Sequence, residues 1–361
     1  MKWFRGVHSH FRLTKSQKPN ITKVTASKPA APAVPEQRHQ GYRQGRNPMH
    51  SGHPPAKIDI VVVGSINMDL LVSVRRAPEI GETIIGKSMD MLPGGKGANQ
   101  AVAAARLGGR TAMVGRVGSD PFGAQMRRSL ADNGVFVDRL RVSEASTGIA
   151  IVTVEEDGDN HIIVIPGANG ELSEEDVRQN EDRIRQCEVV LLQLEIPLAT
   201  VRSAVRAARD SGKLVILDPA PAAELDAELL GMVDILVPNE SEAAWLTGMN
   251  VTDLGEARRA ASELLSRGVR QAVLLKLGAR GALIGTADGF VHVEGFPVNA
   301  VDTTAAGDTF AGALAVALVE KMDLASAVRF ANAAAALSTT ARGAQSSIPD
   351  RAAVEKMLKR S

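Results

Sequence analysis

From residue 58 onward the chain alternates between short runs of aliphatic residues and segments of helical periodicity. Residues 58–63, Ile-Asp-Ile-Val-Val-Val, are followed by Gly64 and are typical of a strand buried on both faces. Further strands are expected at 111–117, 188–194, 214–217, 235–237 and 273–277. Helices are expected near 97–107, 122–133, 197–210 and 222–230, and between 238 and 267. Three more helices should begin at about residues 306, 324 and 350. This order predicts an α/β fold, a doubly wound and mostly parallel sheet covered by helices on both faces.

Two stretches interrupt the alternation, residues 69–85 and 148–165. Both alternate Val, Ile and Thr without helical periodicity, and residues 156–159, Glu-Asp-Gly-Asp, suit a hairpin turn. We interpret them as a small antiparallel β-flap that forms a lid. Because so small a sheet cannot bury both faces by itself, one face should cover a cleft or a second subunit, which predicts a homodimer through the flap.

Composition excludes several classes of protein. The 42 Lys and Arg residues are balanced by 41 Asp and Glu, so the chain lacks the basic surplus of a nucleic-acid-binding protein. One cysteine, Cys187, cannot form an internal disulfide or a thiolate zinc site. The longest apolar runs, such as residues 311–319, are shorter than the ~20 residues that a membrane span needs. We therefore expect small-molecule chemistry, with neither a nucleic-acid nor a membrane partner, in the cytoplasm.

The first 56 residues differ from the rest. They carry ten Lys and Arg residues and a single acid, Glu36, and prolines interrupt each possible helix. This composition predicts a disordered basic extension at residues 1–56, followed by one folded domain at 57–361. It also resembles an organelle transit peptide, so an organelle is the alternative location.

One pattern match is misleading. Residues 81–88, Gly-Glu-Thr-Ile-Ile-Gly-Lys-Ser, satisfy the P-loop expression, which requires a preceding buried strand and a helix that opens at the lysine. Pro78 precedes the match, and residues 83–85 are typical of a strand. We therefore do not expect a phosphate site there.

Residues 94–99, Gly-Gly-Lys-Gly-Ala-Asn, form a more informative turn. Its three glycines allow backbone to approach a ligand closely, while Lys96 supplies a point charge and Asn99 both a donor and an acceptor. These groups suit a polyhydroxylated substrate. A glycine-rich strand-to-helix turn with a solvated lysine is the alternative.

The strongest local signal is the run from Asp302 to Ala313, Asp-Thr-Thr-Ala-Ala-Gly-Asp-Thr-Phe-Ala-Gly-Ala. Small residues open a helix whose unpaired N–H groups at residues 306–308 would bind an anion, helped by the helix dipole. Asp308 could simply complement that dipole. Beside an anion site it could also accept the proton of a hydroxyl that attacks phosphorus.

Four motifs together resemble the successive signatures of the PfkB carbohydrate kinases. They are Gly64-Ser65-Ile66-Asn67-Met68-Asp69, the glycine-rich turn, Asn239-Glu240-Ser241-Glu242 and the Asp302–Asp308 run, in the family's order. Pro219-Ala220-Pro221 and Arg342-Gly343-Ala344-Gln345 are similar to its ribose-phosphorylating members. The resemblance covers roughly residues 58–358. It implies ATP-dependent phosphorylation of D-ribose at O5, with ATP, Mg²⁺ and K⁺ as cofactors.

The resemblance also implies site residues. The match to Asp308 is the base, with Ala305, Ala306 and Gly307 as the anion hole. Sugar contacts would come from Ser65, Ile66, Asn67, Asp69, Gly95, Lys96, Gly97, Ala98, Asn99, Glu195 and Asp308. Nucleotide contacts would come from Asn239, Lys276, Leu277, Gly278, Ala279, Arg280, Gly281, Gly307, Asp308 and Asn332.

Two cation sites are implied as well. Glu242 would help to organise magnesium, and Asp302, Thr304, Ser338, Ala341, Gly343 and Ser347 would hold a monovalent cation. The sequence departs from the family at Lys276 and Asn332, where threonine and histidine are common. Of the roles that the resemblance implies, the nucleotide contacts are therefore the least well supported.

Plainer roles remain open for some of these residues. Asp302 could cap a helix, Glu195 could be a surface acid, and Asn239 with Glu242 could form a capping pair. The alternatives for the whole protein are a sibling kinase for fructose, deoxyribose or a nucleoside, and a sugar- or nucleotide-binding sensor without catalysis. A nucleoside kinase should place aromatic side chains against the base, and only 3% of this chain is aromatic. A sensor would have no use for the base Asp308.

Overall fold

The computed structural model describes residues 57–157 and 159–360. The basic segment 1–56 lies outside these residues, so that expectation is not tested. Gly158 also lies outside them, but the strands Gly148–Val154 and Asn160–Ile165 on either side of the turn pair antiparallel, which confirms the expected hairpin. Within the described residues, no helix has the length and apolar character needed to cross a membrane.

The order of elements follows the alternation that the sequence predicts. The strands are β1 Ile60–Val63, β2 Asn67–Ser73, β3 Ser88–Gly94, β4 Thr111–Val114, β5 Arg116–Gly118, β6 Arg141–Ser143, β7 Gly148–Val154, β8 Asn160–Ile165, β9 Val189–Leu192, β10 Leu214–Leu217, β11 Ile235–Leu236, β12 Ala272–Lys276, β13 Ala282–Thr286 and β14 Gly289–Val293. The helices are α1 Lys96–Arg106, α2 Pro121–Asp132, α3 Glu174–Arg178, α4 Glu181–Gln186, α5 Leu198–Asp210, α6 Ala227–Leu230, α7 Glu240–Thr247, α8 Leu254–Ser266, α9 Ala306–Val319, α10 Leu324–Ser338 and α11 Arg351–Leu358.

Eight strands form the main sheet in the order β14-β13-β12-β11-β10-β9-β1-β4. Pairing is parallel from β4 across to β12, and antiparallel for β12 with β13 and for β13 with β14. The predicted doubly wound, mostly parallel sheet is therefore confirmed. The strand order reverses at β1, which lies between β4 and β9.

Both faces of the sheet are covered. In β1, Ile60 and Val62 pack into one hydrophobic cluster with α1, α9 and α10, whereas Val61 and Val63 pack into a second cluster with α5 and α8. All four side chains are fully buried. Burying an aliphatic side chain of this size contributes about 1.5–3 kcal/mol, which explains why the strand is aliphatic on both faces.

The flap is a separate four-stranded sheet in the order β3-β2-β7-β8. Two details of its prediction are wrong. β2 and β7 pair in parallel, because the chain crosses over through α1, β4 and α2 between them. The partner of β2 on its other side is β3 and not residues 83–85, where Ile85 is exposed. Pro93 is tolerated inside β3 because that strand lies at the sheet edge.

The P-loop match and one helix end also differ from simple pattern reading. Lys87 and Ser88 lead into the strand β3, so no helix opens at the lysine and the match has no P-loop context. The helix expected at 222–230 is confined to Ala227–Leu230. It begins late because Asp226 caps it, with its carboxylate accepting the Leu229 N–H.

Candidate active site

Polar residues collect where the strand order reverses, at the carboxyl end of β1. Open parallel sheets bind their ligands at such reversal points. From β1 the chain passes through β2 and β3 of the flap and returns as α1, so the flap rises from the same edge of the sheet. The carboxyl ends of β9, β10 and β12 lie at that edge as well.

The glycine-rich turn is pressed against the segment that follows β1. A Cβ atom on Gly95, which has φ 87°, would lie 2.6 Å from the backbone nitrogen of Asn67. A Cβ atom on Gly97 would lie 2.6 Å from the backbone nitrogen of Ser65. No larger residue fits at either position, and the close approach brings Asn67, Lys96 and Asn99 to one place.

Glu195 follows the neighbouring strand β9 and fixes this turn. Its Oε2 accepts a hydrogen bond from Ser65 Oγ at 2.6 Å and one from the Lys96 backbone N–H at 3.1 Å. Glu195 is half-buried and is not the surface acid of the alternative interpretation. The structure thus brings together Ser65, Lys96 and Glu195, as the resemblance implies.

Asp69 lies on the flap strand β2 and has a carboxylate oxygen without a partner. Its Oδ1 is buried without a hydrogen-bond partner, and Gly94 packs so closely that a Cβ atom there would lie 2.0 Å from Oδ2. Burial, followed by the charges of Glu195 and Asp308, raises the pKa of Asp69 to about 7, although Lys96 opposes the shift. A buried carboxylate oxygen without a partner can accept a hydrogen bond from a hydroxyl group.

Asp308 lies in the first turn of α9 and is only 6% exposed. Its Oδ2 accepts from Asn99 Nδ2 at 2.9 Å and its Oδ1 from Gln100 Nε2 at 3.1 Å. Burial raises the pKa of Asp308 to about 6, and the charge of Lys96 limits the rise. The Oδ1 atom of Asn99 is buried without a partner, so it remains available to a substrate hydroxyl.

Lys96 and Lys276 are the cations of the site. Burial alone would lower the pKa of Lys96, but the carboxylates of Asp308, Asp218, Glu195 and Glu242 raise it above its usual range. Lys276 Nζ donates to Asp218 Oδ1 at 2.8 Å. It also lies 3.3 Å from the position that a Cβ atom on Gly307 would occupy. Lys96 therefore stays charged beside its carboxylates, and Lys276, paired with Asp218, stands at the start of α9.

The N-terminus of α9 is open. Ala305 precedes it in the left-handed conformation, with φ 59°, and no side chain caps the helix. The Ala306 N–H donates to Thr303 O at 3.2 Å, so of the three expected anion-binding groups this one is already used within the turn. The N–H groups of Gly307 and Asp308 are the better candidates for an anion.

Asn239 and Glu242 form a capping box at the start of α7. Asn239 Oδ1 accepts the Glu242 N–H at 2.7 Å, and Glu242 Oε2 accepts the Asn239 N–H at 2.8 Å. The pair is thus a cap, as the plainer interpretation has it. Glu242 nevertheless lies 3.9 Å from Lys276 Nζ, and burial raises the pKa of its carboxyl group, opposed by Lys276.

The other residues expected to contact the nucleotide fall into two groups. Gly278–Arg280 form a short 3₁₀ turn after β12, and Arg280 is exposed and pairs with Glu240. Asn332 in α10 is buried and donates to the carbonyl oxygens of Val293 and Glu294 at 3.1 and 3.2 Å, and Leu277 is buried in the core. The side chains of Asn332 and Leu277 therefore make their contacts within the protein.

Asp302 joins two loops. Its Oδ1 accepts from Thr304 N at 2.9 Å and from Thr304 Oγ1 at 2.6 Å, while Oδ2 accepts from Gly343 N at 2.8 Å. Burial alone would raise the pKa of Asp302, but these hydrogen bonds lower it below its usual range. The hydroxyls of Ser338 and Ser347 donate to the carbonyls of Ala335 and Ala344. Within the described residues, no group of three or more His, Cys, Asp and Glu side chains could hold a metal ion.

Sequence reasoning missed four polar residues of this region. Asn169 donates to Asn67 Oδ1 at 2.7 Å and to Ile66 O at 3.1 Å, and Gln100 bonds both Asp308 and Asp218. The fourth, Gln193, donates to Gln100 Oε1. Gln100 had a signal in the sequence, since it is a second amide directly after Asn99 and precedes the apolar run 101–105 of α1. Asn169, Gln193 and Asp218 had none.

Comparison with known proteins gives one consistent answer. The model of the pfkB family carbohydrate kinases matches residues 57–351. Ribokinase of Haemophilus influenzae is 45% identical over 293 residues, which is 81% of this chain and 95% of that protein. Deoxyribokinase of Salmonella typhi is 40% identical over 294 residues, 81% of this chain and 96% of its own.

Among solved structures, ribokinase of Arabidopsis thaliana, complexed with ribose and ATP, superposes with a TM-score of 0.79. It is 39% identical, and the match covers 84% of this chain and 99% of that one.

Proposed function

Because the chain belongs to the pfkB family of carbohydrate kinases, we propose that its ATP-dependent phosphorylation of ribose occurs at O5, with Asp308 as the base. The observation that carries this proposal is a buried carboxylate with a raised pKa at the uncapped start of a helix. A base and an electrostatic clamp at one point are what phosphoryl transfer requires, since the protein contributes little covalent chemistry.

The sugar would lie between the flap and α1. Asp69 Oδ1 and Asn99 Oδ1, both buried and without partners, would accept its hydroxyl hydrogens. Asn67, held by Asn169, and Lys96 complete the polar wall, and Ser65 and Glu195 hold the turn beneath it. Each unpaired buried acceptor that gains a donor recovers roughly 1–3 kcal/mol of desolvation cost, which favours a polyol over an apolar ligand.

The phosphoryl group would pass to the hydroxyl beside Asp308. Asp308 removes the hydroxyl proton as the oxygen attacks phosphorus in line. The N–H groups of Gly307 and Asp308, the dipole of α9 and the ammonium group of Lys276 stabilise the charge on the transferring group. Lys96, whose pKa is raised by its carboxylate neighbours, stays protonated throughout.

Magnesium fits the carboxylate of Glu242, with Asp218 next to the same lysine. Mg²⁺ is usually held by one or two carboxylates together with substrate phosphates and water, and such a site needs no cage of protein ligands. When bound, the ion would neutralise phosphate charge. Lys276, which lies between the two carboxylates, shares that task from the protein side.

A potassium ion fits the loop that Asp302 closes. The segments 302–304 and 338–347 meet through Asp302 with Thr304 and Gly343, and they offer carbonyl and hydroxyl oxygens to a large cation. The expected ligands are Asp302, Thr304, Ser338, Ala341, Gly343 and Ser347. An ion there would order the loop that leads into Ala305 and α9.

The flap would pair with a second copy of the chain. Met89, Met91 and the consecutive residues 162–165 of β8 all expose large apolar side chains. An edge strand with this many exposed apolar side chains is typical of an interaction surface. A homodimer would cover it.

Deoxyribose is the second candidate substrate, because a deoxyribokinase is as similar to this chain as several ribokinases are. The decisive experiment is a panel of D-ribose, 2-deoxyribose, D-fructose and adenosine with MgATP, measuring ADP release and identifying the product by NMR. Ribose should give the highest kcat/KM and a 5-phosphate. ADP release with none of the sugars would support the non-catalytic sensor and refute the proposal.

A further inference from the structure

Gln100 is a buried amide that takes no part in the proposed sugar and nucleotide contacts. It is fully buried on α1, one residue after Asn99. Its Nε2 atom lies 3.1 Å from Asp308 Oδ1 and 2.9 Å from Asp218 Oδ2. A primary amide nitrogen carries two hydrogens, so it donates one to each carboxylate.

The two carboxylates need such a group between them. Asp308 and Asp218 are 6% and 1% exposed, and Asp218 is among the charges that raise the pKa of Asp308. A neutral double donor holds both groups as acceptors without adding a further charge to the site. Lys276 completes the chain of contacts, because it binds the other oxygen of Asp218 and stands beside Gly307.

The orientation of the Gln100 amide is itself fixed. Gln193 Nε2 donates to Gln100 Oε1, so the nitrogen of Gln100 must face the carboxylates. Gln193 fits only because residue 64 is glycine, since a Cβ atom there would lie 1.9 Å from Gln193 Oε1. The segments after β1 and β9 thus determine how α1 presents its amide.

We propose that Gln100 is a positioning residue for the phosphoryl transfer, which holds the acceptor oxygens of the base Asp308 and ties them through Asp218 to Lys276. The inference rests on the proposed role of Asp308. With Asn99 on Oδ2 and Gln100 on Oδ1, each oxygen of the base has one fixed donor and keeps a lone pair for the substrate hydroxyl.

The consequence is a pH dependence with a definite sign. Lys96 on α1 favours the charged form of Asp308, and Asp218 after β10 disfavours it. Asp69 on β2, Lys276 on β12, Glu195 after β9 and Glu242 on α7 are further charged groups around the site. The Gln100 hydrogen bond also lowers the pKa of Asp308. Removing that bond should raise it and move the acid limb of the rate profile to higher pH.

The test is Gln100→Met, which keeps length and removes both donors. We expect the acid limb of kcat to move up by about one pH unit. kcat should fall roughly fivefold to tenfold at pH 5.5 and stay within about twofold of the parent at pH 8.5, with KM for ribose unchanged. Gln193→Met should act in the same direction but less, and this second variant keeps the proposal testable if Gln100→Met folds poorly.

A second readout is independent of any sugar. In the unliganded protein, the carboxyl ¹³C signal of Asp308, assigned by its loss in Asp308→Asn, should titrate at higher pH in Gln100→Met. The matched control is Thr200→Val, which removes a buried hydrogen bond to Leu172 O that is not part of the Gln100–Asp308–Asp218 network and should leave both profiles in place.

A uniform loss of rate at every pH, or an unchanged Asp308 titration, overturns the proposal. Absence of ribose phosphorylation by the parent would refute the proposed function instead, and the NMR arm would still decide the role of Gln100.

Discussion

The roles proposed for Asp69 and Asp308 would come at a cost in stability. Both are carboxyl groups placed where burial and neighbouring charges disfavour ionisation, with pKa values of about 7 and about 6. A fold selected for stability alone would place amides or apolar groups there. We therefore expect substitutions at these positions to separate stability from activity.

Asp308→Asn keeps the shape of the side chain but removes its basicity. Turnover should fall by roughly 10²–10⁴-fold while ribose binding persists. In the parent, kcat should fall as the pH decreases through about 6, because the protonated carboxyl cannot accept the hydroxyl proton. Steady-state kinetics and calorimetric titration with ribose measure the two effects. Asp350→Asn, which alters the cap of α11, is the control and should keep full activity.

Asp69→Asn should stabilise the protein, and more so at high pH. A carboxyl group whose pKa is higher in the folded than in the unfolded state contributes stability at low pH, and that contribution is lost as the pH rises through the folded value of about 7. The asparagine variant cannot lose it. Its gain in the free energy of unfolding should be larger at pH 8 than at pH 5 by on the order of 2 kcal/mol. Solvent screening reduces this difference, because Asp69 is only partly shielded from water. Urea titrations at both pH values test this, and an equal change at both would contradict it. Ribose affinity should fall in the same variant.

At the scale of elements, the Asp302 loop makes a prediction that a simple helix cap does not. If a potassium ion orders this loop, KCl should raise turnover in buffer free of sodium and potassium, compared with choline chloride of equal ionic strength. Asp302→Ala should abolish the response. Asp323→Ala removes a cap from α10 in the same way and should keep it. A parent enzyme that is indifferent to KCl leaves Asp302 only as a structural link to Gly343.

The flap makes a prediction about assembly. Ile162 and Ile163 are 58% and 62% exposed on β8. If β8 pairs with a second copy, Ile163→Asp should dissociate the dimer because it would bury an unpaired charge. Sedimentation velocity at micromolar concentration measures the change. Val291→Asp, at a similarly exposed apolar position on β14, is the matched control, and a strictly monomeric parent would refute the pairing.

The elements also show which parts of the structure were readable in the sequence. The core strands and helices could be predicted, because each has its own local pattern of apolar residues. β3 could not, because it contains Pro93 and Gly94 and is a strand only through its pairing with β2. The same division holds for the site. Asn99 and Asp308 lie in local motifs, whereas Asp218, Asn169 and Gln193 make their contacts with segments distant in the sequence.

For the whole molecule, we predict that residues 1–56 can be removed. The match to the kinase family begins at residue 57, and the composition of the preceding segment could not supply a hydrophobic core. A chain of residues 57–361 should have the kcat and melting temperature of the full chain. A large loss of either would mean that the basic segment packs on the folded domain.

The contact between Asn99 and Asp308 joins residues 209 positions apart. During synthesis at about 5–20 residues per second, the polar wall near Asn99 therefore leaves the ribosome about 10–40 s before the base is made. A chain that ends before residue 302 lacks both Asp308 and α9, and α1 shares its hydrophobic cluster with α9. If Asp308 is the base as proposed, phosphoryl transfer begins only when nearly the whole polypeptide has been translated, and incomplete copies consume no ATP.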